Sequence, residues 1–198
     1  MAMYSQNQEE LHILQHAGAT GRFLDVGAAD GKTFSNTYAL AERGWSGVCV
    51  EASPRMAAAL VKNYPDESKI EIIAAAMGLS RGLVTMWATD DFVSTTDRKL
   101  MKKWSSYVAG HSPYRRIVVP QIVWEDVAPL GPFHMVNIDT EGTSLALFDA
   151  LPQAILSSMR VLCVEHNGDL ASLHVPDGFW TVYSSGENAV MVRGQVKP

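Results

Sequence analysis

Cysteine is scarce in this sequence: 198 residues carry two, Cys49 and Cys163. That excludes a disulfide framework and a cysteine-built metal cluster. Both lie in apolar runs that read as buried strands, so they are expected as small core thiols, which fits a reducing cytoplasm. An apolar run long enough to span a bilayer is also missing. Residues 1–10 are polar and acidic where a secretory signal needs a basic end and an apolar stretch. The expectation is a soluble intracellular protein with no membrane partner. Basic excess is lacking too: 16 Lys and Arg face 21 Asp and Glu, a net charge of −5. Such a chain has no overall field to draw in phosphate backbones, so nucleic acid is not an expected partner, although a local basic patch remains compatible with it. Repeats, low-complexity tracts and linkers are absent. What is present is enough apolar residue, 47% of the chain, to fill one core. A single domain over residues 1–198 is expected, with a helical extension at 1–20 and a substrate-side insertion at 88–125.

Periodicity orders the elements. Leu11, Ile13 and Leu14 among polar neighbours predict a short amphipathic helix over 8–16, as a lid or edge cover. Strands are expected at 22–27, 47–51 and 70–74. Helices are expected at 33–43, from the spacing of Phe34, Tyr38 and Ala41, and at 54–63, opened by Pro54. Strand-helix alternation with continuous apolar strands requires a parallel sheet covered on both faces. The middle is less regular, with a strand at 83–88, a helix at 97–108 and an extended segment at 117–123 broken by Pro120. Order returns with strands at 133–139 and 160–165 around a helix at 144–151. Strands at 179–183 and 189–193, joined by a turn-rich link, read as a terminal antiparallel hairpin.

The first chemical signal is Phe23-Leu24-Asp25-Val26-Gly27-Ala28-Ala29-Asp30-Gly31, where a strand tip meets a helix. Small residues there let the backbone approach a ligand, and open parallel sheets bind ligands at that edge. The spacing Gly-x-x-x-Gly is not the Gly-x-Gly-x-x-Gly that cradles a pyrophosphate. Asp25 and Asp30 suit a cationic amino-acid end instead, directly or through water. Glu51 closes the second strand where an acid grips both ribose hydroxyls, and Ala52, Ser53 and Pro54 continue beside the base. A nicotinamide-dependent oxidoreductase would use a similar acid, but with the other glycine spacing and without a reversed terminal strand. Loop and acid together favour a nucleoside cofactor, and the cationic amino-acid end of S-adenosylmethionine makes physical sense of Asp25 and Asp30.

The blocks FLDVGAADGKTFSNTYALAERGWSGVCVEASP, VNIDTEGTSLALFDAL and VLCVEHN resemble the FkbM family of S-adenosylmethionine-dependent methyltransferases. The resemblance implies a class I methyltransferase fold: a Rossmann-like, mostly parallel seven-stranded sheet with a C-terminal antiparallel hairpin and helices on both faces. It implies Asp25, Gly27, Gly31 and Glu51 as cofactor residues, with Ala28 and Ala76 beside them, and Asp139 and Glu141 at the reaction end. One departure is the lack of an acid after the third strand, where Ala74-Ala75-Ala76-Met77-Gly78 stands. Adenine recognition then falls to backbone groups or to Asp90 or Asp91.

An alcohol acceptor holds its proton near neutral pH, so a base is expected within reach. Asp139, Glu165, His166 and Asn167 close two neighbouring strands, and His166 has the best intrinsic pKa. Its alternative role is to bond a neighbour, and Glu141 could serve as a helix-start acid. Three oxygen-bearing groups in one place could hold a divalent metal, but no tight ligand spacing favours it. Ser94 and Thr95 are expected in a polar rim over the acceptor, while Trp87 or Trp104 is a candidate to stack on a sugar ring, although tryptophans at such positions more often fill a core. The leading reading is O-methylation of a saccharide or small natural product; an oxidoreductase and a binding module without catalysis are the alternatives.

Overall fold

Alternation along the strands decides what each face of the sheet meets. In the computed structural model, which describes residues 3–64 and 69–194, β1 (Arg22–Val26) is buried from Phe23 onward. Leu24 and Val26 point to one face, Phe23 and Asp25 to the other. The elements before it and after it are α1 (Glu9–His16), α2 (Tyr38–Glu42), β2 (Ser46–Val50), α3 (Pro54–Asn63) and β3 (Ile70–Ile73). Then come β4 (Ala76–Met77), β5 (Gly82–Ala88), α4 (Arg98–Val108), β6 (Arg115–Ile122) and α5 (Trp124–Val127). The chain closes with β7 (Met135–Ile138), α6 (Ser144–Asp149), α7 (Gln153–Leu156), β8 (Val161–Glu165), β9 (Phe179–Ser184) and β10 (Asn188–Arg193). Residues 1, 2, 65–68 and 195–198 of the expected single domain lie outside the described residues.

Seven strands form one sheet in the order β3-β2-β1-β7-β8-β10-β9. Every pairing is parallel except those of β10, which runs antiparallel between β8 and β9. The chain winds outward from β1 to β3 and later returns to the other side of β1 with β7, so the switch point lies between β1 and β7. One face packs Leu24, Val50, Ile138 and Leu162 against Trp124, Leu147, Phe148 and Ile155 of α5, α6 and α7. The other packs Phe23, Cys49, Met135 and Cys163 against Ile13, Leu40 and Leu60 of α1, α2 and α3. Cys49 and Cys163 are free and fully buried, as their apolar surroundings imply. α1 is a core element, with Ile13 inaccessible to water, rather than a loose lid.

Two expectations are corrected. Residues 33–37 are not helical, and α2 starts only at Tyr38. Ser35 Oγ accepts the backbone N–H groups of Thr37 and Tyr38, at 3.2 and 3.0 Å, while Phe34 sits at φ 60°. Short hydroxyl side chains bonding their own backbone compete with helix, and they win here. The irregular middle instead builds a second sheet, β4-β6-β5. Pro120 does not interrupt β6: it pairs with Leu83 on one side, and on the other β4 pairs only with Gln121 and Ile122, so at Pro120 the strand has an open edge where a missing N–H is tolerated. Met86, Val119 and Ala76 form the small core of this sheet, packed on Ala52 beside the main sheet's edge. Among the described residues no helix is long and apolar enough to cross a membrane.

Candidate active site

The tips of β1, β2 and β7 meet around one cleft of about 1000 Å³, counting its open mouth. Gly27 makes this junction possible. It sits at φ +86°, and a Cβ there would fall 1.6 Å from the Asp139 carbonyl oxygen. The two loops approach as closely as bare backbone allows, with Asp139 N–H donating to the Val26 carbonyl at 2.8 Å.

Glu51 ties the β1–β2 side of the cleft together. One of its oxygens accepts the Ala29 N–H at 2.8 Å and the other accepts the Ser53 N–H at 2.6 Å. Each oxygen keeps a second lone pair for a ligand hydroxyl. Burial raises its pKa, against the pull of those two bonds. Asp25 is buried and accepts from Thr37 Oγ1 at 2.6 Å and Asn137 Nδ2 at 2.9 Å. Burial raises its pKa as well, while those two bonds oppose the shift. Thr37, Asn36 and Asn137 are site residues the sequence reading missed. The signal was there: Asn137 is a polar residue inside an otherwise apolar strand.

The structure brings most of the expected residues to the cleft. Asp25, Gly27, Ala28, Glu51, Ala52 and Ala76 line one part. Ser94, Thr95, Asp139 and Glu141 line the other. Thr95 Oγ1 donates to the Glu141 carbonyl at 2.7 Å, holding the loop after β7 to the small sheet. Met56, Met77 and Met86 add an apolar wall that was not anticipated.

Other residues sit outside the cleft lining. Asp30 folds back onto its own turn, accepting Lys32 N–H, Thr33 N–H and Thr33 Oγ1 at 2.7–2.8 Å. Gly31, at φ +76°, gives room to the Tyr64 ring. Ser53 caps α3. His166 lies away from the cleft. Its Nδ1 accepts the Gly168 N–H at 3.2 Å, and its Nε2 lies 3.4 Å from Ser184 Oγ. Asn167 donates to Glu165, and neither lines the cleft. Of the acids considered for adenine, Asp90 pairs with Arg55 outside the lining, whereas Asp91 does line the cleft and bonds His111 at 2.9 Å. Trp87 and Trp104 are half-buried and absent from the lining.

At the tips of β7 and β8 Asp139, Glu141 and Glu165 each place a carboxylate oxygen within 4.8 Å of the others. Ser144 Oγ donates to Glu165 at 2.5 Å. Like charges this close oppose one another's ionisation. Burial, then Glu165, Glu141 and Asp25, lift Asp139 well above the usual carboxylate range. Burial, then Glu165 and Glu187, raise Glu141 to about 8, with Lys103 opposing. Glu141 is also held at φ +50°, a conformation that costs a non-glycine residue about 1 kcal/mol or more and is typical of functional loops. Oxygen-only ligands of this kind would suit a hard divalent cation, and a shared proton relieves the same repulsion.

A family model described as the methyltransferase FkbM domain matches residues 25–175, more than half of the chain. The chain belongs to the FkbM methyltransferase family. No curated protein matches it. Among solved structures, a protein assigned as a caffeoyl-CoA O-methyltransferase from Staphylococcus aureus is 10% identical, with a TM-score of 0.50 over 98% of this chain and 86% of that one. An O-methyltransferase from Bacillus cereus in complex with SAH is 13% identical, with a TM-score of 0.47 over 97% and 83%. A human methyltransferase 10 domain containing protein is 12% identical, with a TM-score of 0.47 over 97% and 83%. The fold of this FkbM chain is that of a class I methyltransferase, with β10 as the reversed strand that nicotinamide-binding sheets lack.

Proposed function

We propose that this FkbM-family chain uses S-adenosylmethionine to methylate a hydroxyl on a saccharide or small natural product. The observation that carries the reading is a single cleft with Glu51 at one end and the Asp139–Glu141 pair at the other. The cofactor, when bound, supplies a methyl group already activated on a sulfonium. The chain then has to hold, align and deprotonate. Glu51 fits the ribose hydroxyls, since both its oxygens are oriented by backbone donors and each retains a lone pair. Gly27 and Ala28, whose N–H groups are held by the Val50 carbonyl at 2.9 and 3.1 Å, bring the chain to the cleft next to Asp25 without a bulky side chain and so leave room for the amino-acid end. Ala75, Ala76 and the methionine wall offer the adenine an apolar slot, which answers the missing acid after β3.

A bound donor would supply its methyl group to the acceptor oxygen, the sulfur keeping the bonding pair as leaving group, with Asp139 and Glu141 beside the acceptor. The hydroxyl proton passes to a carboxylate, and Asp139 is the base this reading assigns. Its raised pKa makes it a better proton acceptor than an ordinary aspartate once it is ionised. Orientation of the two reactants supplies much of the remaining rate.

The test incubates the purified chain with S-adenosylmethionine and a panel of glycans and small alcohols, with and without magnesium, following S-adenosylhomocysteine release. Turnover that survives a chelator supports the shared-proton state of the acid trio, and turnover restored only by magnesium assigns it a cation. Cofactor binding with no acceptor turned over, and no phenotype for Asp139→Asn, would favour a binding module instead.

A further inference from the structure

The acidic chain carries one strongly basic stretch, and it borders the cleft. Residues 98–116 hold six of the sixteen Lys and Arg and no Asp or Glu. Among the described residues none of the six, Arg98, Lys99, Lys102, Lys103, Arg115 and Arg116, forms an ion pair. Lys99, Lys103 and Tyr107 recur every fourth residue along α4, and His111 follows one turn later, so they form one column. The column touches the cleft at two places. The charge of Lys103 is felt by Glu141. The His111 ring packs edge-on against Tyr107 at 5.2 Å and holds Asp91, a cleft residue, at 2.9 Å. α4 itself is seated against the same loop, because a Cβ on Gly142 would lie 3.1 Å from Leu100 and 3.2 Å from Asp97. Arg115 and Arg116 open β6 beside Ala88 and Trp87, and Trp87 is bridged to cleft residue Thr95.

A surface helix usually mixes its charges, and lysines without an ion-pair partner among the described residues, Lys103 lying only over the Trp104 ring at 5.1 Å, polarise the cleft from rim to floor. A neutral alcohol gains nothing from this arrangement. We propose that the acceptor carries an anionic group, a phosphate or a carboxylate, which docks on Lys99, Lys103 and His111 while its hydroxyl lies against Asp139 and Glu141. The inference rests on the methyl-transfer reading and names the class of acceptor within it. Asp139 and Glu141 repel the anion and the column attracts it, so the two ends of the acceptor are told apart by charge.

Calorimetry with glucose, glucose 6-phosphate and glucuronate as probes, with and without bound S-adenosylhomocysteine, tests it. One or both charged sugars should bind at least about tenfold tighter than glucose, as expected for charge-assisted contacts. The arm that binds tells phosphate from carboxylate. The double variant Lys99→Glu, Lys103→Glu should remove the preference, while Lys62→Glu on the exposed face of α3, an equal kind of charge change, should keep it. The proposal is overturned if all three sugars bind alike or none binds, or if the preference survives the double variant. It is also overturned if a single-stranded oligonucleotide outcompetes the sugars through the same lysines. Heat from S-adenosylhomocysteine alone is read in the same cell, so its absence sinks the cofactor reading without deciding what the rim binds.

Discussion

At the scale of single residues, the strand tips obey one parity. Asp25, Glu51, Asp139 and Glu165 all fall in step with Phe23, Cys49, Met135 and Cys163, so they share one face at one end of the sheet. His166 is one step out of phase, and this is why the best base by intrinsic pKa is absent from the cleft while Glu165 approaches Asp139. Asp139→Asn is expected to lower kcat at least about a hundredfold, the usual effect of losing a general base, with S-adenosylmethionine affinity largely kept. His166→Gln should leave kcat nearly unchanged, and single-turnover kinetics on both variants separates them. On the cofactor side, Glu51→Ala should weaken S-adenosylmethionine binding by roughly 1.5–3 kcal/mol, the range for hydrogen bonds to a charged group. An unchanged titration would remove the ribose assignment. Gly27→Ala is expected to be worse than either. It adds a side chain at φ +86° and a contact at 1.6 Å to backbone, so both stability and binding should fall, by about 2–5 kcal/mol in thermal unfolding.

At the scale of elements, the long strands were legible because their burial leaves the sequence no choice. β7 and β8 are apolar or core-facing throughout, and α3 begins at Pro54 and ends at Asn63, as its capping chemistry dictates. The small sheet was legible only in part: the segments at 83–88 and 117–123 were expected as extended, but β4 and the pairing of the three were not. β4 is two residues long, and its partner in β6 is more than forty residues away, so no local period announces the pair. The acid trio was hidden for a similar reason: spacing along the chain says nothing about two strand ends that meet only after the sheet has formed. The loop after β7 combines both lessons, since Thr95 of the insertion pins Glu141 and α4 packs against Gly142. α4 therefore positions the acceptor side of the cleft. Its first turn depends on the Asp97 carboxylate, which accepts the Lys99 N–H at 2.6 Å. Asp97→Ala should cost about 1 kcal/mol of cap energy, localised to α4. Hydrogen exchange should show faster exchange at Lys99, Leu100 and Met101 with β1 and β7 unaffected. Uniform deprotection would mean that α4 and the main sheet unfold as one unit.

At the scale of the whole molecule, the raised carboxyls couple folding, cofactor and pH. Glu141 binds its proton more tightly folded, with a pKa of about 8, than unfolded, near the ordinary glutamate value of 4.5. The folded state therefore holds an extra proton between those values, and the stability linked to it is lost as pH rises through that window. The slope is at most about 1.4 kcal/mol per pH unit for one group, and water at the open mouth reduces it. Binding a cation beside these acids acts in the opposite sense, since it favours their ionised form. S-adenosylmethionine carries a positive sulfur that S-adenosylhomocysteine lacks. Without ligand, the unfolding midpoint should fall as pH climbs toward about 8, and Glu141→Gln should flatten that fall. The upward shift given by saturating S-adenosylmethionine should grow over the same range, because its affinity rises as Glu141 and Asp139 ionise. The shift given by S-adenosylhomocysteine should grow less. Thermal unfolding of both complexes across this window reads the difference directly. Two shifts that run parallel with pH would place the sulfur away from the acids and remove Asp139 as the acceptor's base.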